Sequence, residues 1–216
     1  MLLAVERSSS VASAAVFDGD GRRLASVSSA TPGQGDAWPL VRDTLAQAGV
    51  SAERIDAFAV GVGPGSFSGI RAALALAQGL AAPRGLPVRG VSSAAAAVRA
   101  WRGAHPAAPR ARLFGDARRG EVWVFDEPAD PATLSHSAAD LRLVSPEAAL
   151  AETRDPAFSA LAADPARLER LLPGVALEPA LPTAEDVAAL FLAGFSGPAD
   201  PVYVHPAVVG STTSAV

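Results

Sequence analysis

Gly61-Val62-Gly63-Pro64-Gly65-Ser66-Phe67-Ser68-Gly69-Ile70-Arg71 is a glycine-rich turn, and Ala72 to Ala82 continues from it as a helix. Ahead of it, Ile55 to Val60 reads as a short buried strand. Gly63 and Gly65 can take backbone angles closed to other residues, and Pro64 fixes its own φ, so the chain can bend sharply here. The helix starts near Ser66, whose hydroxyl is suited to capping it. Free N–H groups at such a start, aligned with the helix dipole, can hold an anion, which makes Gly63, Gly65 and Ser66 candidate phosphate-binding residues. A tight strand-to-helix turn with no ligand fits the pattern as well. The spacing is not G-x-G-x-x-G, and no Lys follows as in a Walker loop. All 18 basic residues are Arg.

The helix carries two stripes. Ile70, Ala73, Leu74, Ala77 and Ala81 form one apolar face at helical spacing, and Ala72, Ala75, Leu76 and Gly79 form a second. Ser68, Arg71 and Gln78 mark a thin polar edge. Such a helix must be covered on more than one side. Either it lies wholly within its own domain, or its small residues admit a helix from a partner.

Working outward, Leu2 to Val5, Val11 to Phe17 and Arg22 to Ser28 read as strands, the last two joined at Asp18-Gly19-Asp20-Gly21. Asp36 caps a helix over Ala37 to Ala48, with Trp38, Val41, Leu45 and Ala48 on one face and Gly49 stopping it. Leu86 to Val91 is the next strand, and Ser92 or Ser93 starts an Ala-rich helix to Trp101. Such an order predicts an α/β fold with a mixed sheet. Arg102 to Pro109 is the best linker by composition, which divides the chain into 1–103 and a smaller 104–216. Arg110 to Phe114 and Glu121 to Phe125 repeat the opening theme in reduced form. Short helices follow near Pro146–Glu152, Pro165–Leu172 and Thr183–Leu192, and the end from Gly210 reads as a disordered tail.

The 216 residues are half hydrophobic, much of that Ala, with 22 acidic side chains and a net charge of −4. That is no footprint for tight autonomous nucleic-acid binding, although a local Arg patch remains compatible with it. With no Cys, disulfides and thiolate chemistry are excluded. The N-terminus turns charged too soon for a signal peptide, and Gly, Arg or Pro interrupts every long apolar stretch. A cytoplasmic protein off the membrane is expected.

Gly63 to Arg71 closely resembles the GPGSFTGLR signature of the TsaB (YeaZ) family, and Asp116 to Val122 resembles that family's second motif. The family acts in making threonylcarbamoyladenosine on tRNA. The resemblance implies an actin-like, ribonuclease-H-like ATPase fold of two subdomains. It also implies a non-catalytic partner of TsaD, with no cofactor of its own. Helices 36–48 and 67–82 would dock on TsaD through Trp38, Leu40, Val41, Ala72, Ala75, Leu76 and Gly79. TsaD would carry the metal, TsaE and tRNA would join the complex, and the same face would form a homodimer in isolation.

The chain departs from the pattern at three places. Glu6-Arg7-Ser8 stands where the family has Asp-Thr-Ser at the first-strand end, which weakens any nucleotide-metal site there. Ser93 and Ala97 occupy the places of the metal-binding His pair of TsaD, so no metal site is expected. Gln34-Gly35 replaces a His-Ser pair. His105, His136 and His205 read as scattered surface residues. Asp116, Arg118, Arg119 and Glu121 form a charged group that reads as a salt-bridged hairpin, or as a phosphate contact through Arg118 and Arg119 within a complex. The rival reading is a stand-alone ATPase or kinase, with Glu6, Gly63, Gly65 and Asp116 lining the cleft and ATP as ligand. A peptidase is disfavoured, because neither Ser66 nor Ser68 has a readable His or Asp partner.

Overall fold

The computed structural model describes residues 1–29, 37–130, 133 and 140–205. The expected loop at 31–35, the Asp36 cap, Gln34-Gly35, His136 and the tail from 210 lie outside these.

Among the described residues, ten strands form two five-stranded sheets. The first contains β1 (Leu2–Glu6), β2 (Ala12–Phe17), β3 (Arg23–Ser29), β4 (Ala57–Gly61) and β5 (Val88–Val91), in the order β3-β2-β1-β4-β5. Here β1 pairs antiparallel with β2 and parallel with β4. The second contains β6 (Arg110–Arg118), β7 (Glu121–Asp126), β8 (Leu141–Val144), β9 (Phe158–Ala162) and β10 (Glu178–Pro179), in the order β10-β9-β6-β7-β8. Read from the other edge it is the same topology, with β6 antiparallel to β7 and parallel to β9. The fold is therefore a duplicated mixed-sheet α/β architecture of the actin-like type. The second copy is shorter and no exact repeat is visible in the sequence.

Helices follow the same duplication: α1 (Ala37–Ala48), α2 (Phe67–Ala81) and α3 (Ser93–Ala104), then α4 (Pro146–Glu152), α5 (Pro165–Leu168) and α6 (Ala184–Leu192). β1 is central and buried on both faces, so it reads as an uninterrupted apolar run. Leu3 and Val5 meet Val41, Leu45, Ile70, Ala73, Leu74 and Ala77 of α1 and α2. Leu2 and Ala4 point the other way, into a cluster with α3, α6 and the inner face of β6 and β7, including Trp101, Leu113, Trp123 and Phe125. Phe114, Val122 and Val124 cover α4 and α5 on the far side.

Two expectations change. The unit 104–216 is not self-contained. α6 packs on β1, β2, β4 and α3, Val202 N–H donates to Val62 O at 2.8 Å, and Gly197 bridges Gly90. One core joins both halves. The segment read as a linker is pinned: the Arg102 guanidinium reaches the Ala108 and Pro109 carbonyls at 2.8 Å and pairs with Glu127. The second half also holds three strands, β8, β9 and β10, that the sequence did not reveal. Among the described residues no helix is long and apolar enough to cross a membrane.

Candidate functional site

The glycine turn is spent on packing. Gly63 (φ 99°) and Gly65 (φ 150°) take angles that L side chains rarely adopt. A Cβ on Gly65 would stand 2.1 Å from Ser8 O, and one on Gly69 2.1 Å from Arg7 O. The start of α2 is thus pressed against the turn after β1. Ser66 does cap α2, accepting from Gly69 N–H at 3.3 Å, while its own N–H donates to Ser8 O at 2.7 Å. Gly63 N–H donates to Ser93 Oγ at 3.0 Å. These N–H groups face inward, which corrects the reading of Gly63 and Ser66 as a phosphate cradle: their donors are already satisfied.

Glu6 is fully buried. It accepts the Ser8 N–H and, at 2.7 Å, the Ser93 hydroxyl. Gly61 makes room for it, since a Cβ there would lie 1.7 Å from Glu6 Oε2. Burial pushes the Glu6 carboxyl above its ordinary range, against the pull of the hydrogen bonds from Ser8 and Ser93. Glu6 therefore ends β1 as a buried, hydrogen-bonded group. Ser93 is a hydrogen-bond relay between Glu6 and the turn.

The cleft between the sheets is lined by Ser8, Gly65, Ser93, Asp116, Trp123, Asp164 and Arg167 among others, and neither Glu6 nor Gly63 opens into it. It encloses about 20 Å³. That is room for roughly one water, where small-molecule sites enclose about 300–1,000 Å³. Among the described residues no group of His, Asp and Glu is arranged to hold a metal ion.

A larger groove of about 430 Å³ runs beside the cleft, from Gly65 and the start of α2 to the β6–β7 turn and residues 202–205. The Arg71 guanidinium lies 3.9 Å over the Phe67 ring, and its Nε donates to Tyr203 Oη at 2.8 Å. Phe67 is 54% exposed. Arg118 (φ 70°) and Arg119 (φ 54°) are both left-handed without being glycine, at a cost of roughly 1 kcal/mol or more each. Arg118 pairs with Asp116 at 3.2 Å, as expected of a salt-bridged hairpin. His205 is half-buried rather than a freely exposed residue. Its Nε2 lies 2.8 Å from Ala117 O, and Nδ1 is 3.8 Å from Glu121. His105 stacks on Trp101 at 4.6 Å. Phe67, Arg71, Tyr203 and His205 were not singled out from sequence; 132 residues separate Arg71 from Tyr203, and nothing local links them.

On the outer face of α2, Ala75 and Gly79 are exposed and Ala72 and Leu76 are half-buried. On the neighbouring α1, Trp38 is 40% exposed and Leu40 is half-buried. Val41 is not on this face. It is wholly buried in the core and offers a partner nothing. Gly79 has open space around it. A mid-helix glycine costs about 1 kcal/mol relative to Ala, and no packing among the described residues requires it.

The family model described as TsaD, tRNA N6-adenosine threonylcarbamoyltransferase, matches residues 36–183. The chain is 38% identical over 110 residues to the Escherichia coli (strain K12) tRNA threonylcarbamoyladenosine biosynthesis protein TsaB, covering 50% of this chain and 47% of that protein. A Haemophilus influenzae protein of the same name matches at 39% over 85 residues, covering 39% of this chain and 36% of its own length. The chain thus spans about half, or less, of the curated relatives it matches. Among solved structures, YeaZ from Pseudomonas aeruginosa superposes with a TM-score of 0.64 at 27% identity, over 93% of this chain and 99% of that one. Motif, duplicated topology and these matches agree, and the chain belongs to the TsaB (YeaZ) family, within the wider family whose model is named for TsaD.

Proposed function

We propose that the chain is a non-catalytic subunit in the formation of threonylcarbamoyladenosine on tRNA, and that it docks on a TsaD partner through the outer face of α1 and α2. The observation that carries this reading is the α2 face itself. Ala72, Ala75 and Gly79 line it at helical spacing, Leu76 stands half-buried beside them, and Trp38 and Leu40 border it on α1. Small residues let two helix backbones approach closely, and an exposed glycine that costs the monomer stability suits such an approach. The names of the TsaB relatives support the pathway. Support for a non-catalytic role comes from Glu6, which is engaged inside the protein, and from the narrow cleft. Metal and acyl-transfer chemistry would belong to TsaD. TsaE would join the assembled pair, and the free chain would self-associate through the same face.

The Ala75→Arg, Leu76→Arg double variant tests the face, because it sets two charges in a dry helix contact. Loss of co-elution with the TsaD partner on size exclusion, with an unchanged circular dichroism spectrum, is expected. Co-elution as strong as the wild type would place the docking face elsewhere.

A further inference from the structure

The groove at the start of α2 is not explained by helix docking, and its chemistry is distinctive. Neither Arg71 nor Arg119 has a carboxylate partner among the described residues, and no Asp or Glu lines the groove. Arg71 sits against the planes of Phe67 and Tyr203. Arg118 and Arg119 are held in left-handed backbone at the opposite rim, where Asn or Gly would fit at less cost. Non-glycine residues held in that region concentrate where function requires them. The result is a groove in which Arg71 and Arg119 have no carboxylate partner among the described residues and Arg118 is paired with Asp116, with Phe67 and Tyr203 beside Arg71, on a chain whose net charge is −4.

We propose that this groove takes a single-stranded RNA segment, with Arg71 and Arg119 at its phosphates and the Phe67–Arg71–Tyr203 stack against an unpaired base. The proposal rests on the tRNA-modification reading above and names a direct RNA contact within it. Cations spaced across a groove and paired with planar side chains are how single strands are held, whereas a duplex hides its bases from such a stack. A free nucleoside polyphosphate is the weaker fit. It normally arrives with a magnesium ion, and the groove lining offers that ion no carboxylate. A volume of about 430 Å³ accommodates one nucleotide unit with its neighbours outside.

The test is fluorescence anisotropy of a labelled 17-nucleotide RNA stem-loop, titrated with the full chain alone and with the chain plus its TsaD partner. It compares wild type, Arg71→Ala with Arg119→Ala, and Phe67→Ala across a salt series. The double Arg variant should bind at least about tenfold more weakly at 0.1 M salt. Its log–log salt slope should be shallower by about 1.4, since two single-strand phosphate contacts are lost. Phe67→Ala should weaken binding several-fold and leave the slope unchanged. Arg119 makes no hydrogen bond or ion pair among the described residues, so Arg119→Ala alone provides a folded control that should still lower the slope by about 0.7. Equal affinity and slope in all variants, or no RNA binding by the wild type in either form, overturns the proposal. So does complete displacement of the RNA by equimolar ADP, which would make the groove a free-nucleotide site. Co-elution with the TsaD partner is scored on the same samples. Loss of that co-elution with groove-dependent RNA binding intact would sink the docking reading and leave this one standing.

Discussion

Glu6 ends β1 and never reaches solvent. Its carboxyl is held by Ser8 and Ser93, and Ser93 passes the link on to Gly63 N–H. The sequence announces a carboxylate at a strand end, but the partner that decides its role lies 87 residues away. The pH consequence has a definite sign. Burial raises the folded-state pKa of Glu6 above its ordinary value of 4.5, so the native state binds this proton more tightly than the unfolded chain. Its favourable contribution is complete below about pH 4.5 and is lost as pH rises through the folded pKa. Glu6→Gln can still accept from Ser8 N–H and donate to Ser93 Oγ, and it does not titrate. Urea midpoints measured from pH 4.5 to 8 should therefore show the wild type losing stability relative to Glu6→Gln as pH rises. Parallel curves would mean that Glu6 titrates as an ordinary carboxyl.

At the scale of elements, α2 was the most legible part of the chain. Its Ser66 cap, its buried stripe and its small-residue outer stripe all follow from spacing, because local chemistry and period agree. The capping box of Thr183 and Asp186 starts α6 by the same local chemistry. What spacing does not convey is why the glycines are there. Gly69 touches Arg7 O, and Gly79 touches nothing. The same substitution in one helix should thus act with opposite signs. Gly69→Ala should destabilise by about 1–3 kcal/mol, since a methyl is forced onto backbone. Gly79→Ala should stabilise the isolated chain by roughly 0.5–1 kcal/mol through helix propensity. Thermal melts of the two variants check this, and a shift of both in one direction would contradict the packing described. β9 escaped notice for the converse reason. Phe158-Ser159-Ala160-Leu161-Ala162 has weak strand propensity, and it becomes a strand because parallel pairing with β6 supplies what its composition lacks.

At the scale of the whole molecule, two copies of one topology share the core that α3 and α6 fill between the sheets. The α/β class and the first sheet were legible, because a hairpin followed by strand–helix alternation has few solutions. The duplication was legible only in outline, in the reduced repeat of Arg110 to Phe114 and Glu121 to Phe125, since the second copy keeps strand order and no sequence likeness. The return of α6 to the first sheet was not legible, because an apolar helix face does not say which sheet it will meet. This architecture gives a narrow cleft, an α2 face of small exposed residues and an arginine groove. The most direct test is reconstitution. Combining the chain with TsaD and TsaE of the same organism, a source of threonylcarbamoyl-adenylate and tRNA, and detecting the modified adenosine by mass spectrometry, should show modification that depends on the chain, with none from the chain and tRNA alone. Undiminished modification when the chain is omitted, or modification by the chain without TsaD, would contradict its role as a non-catalytic subunit.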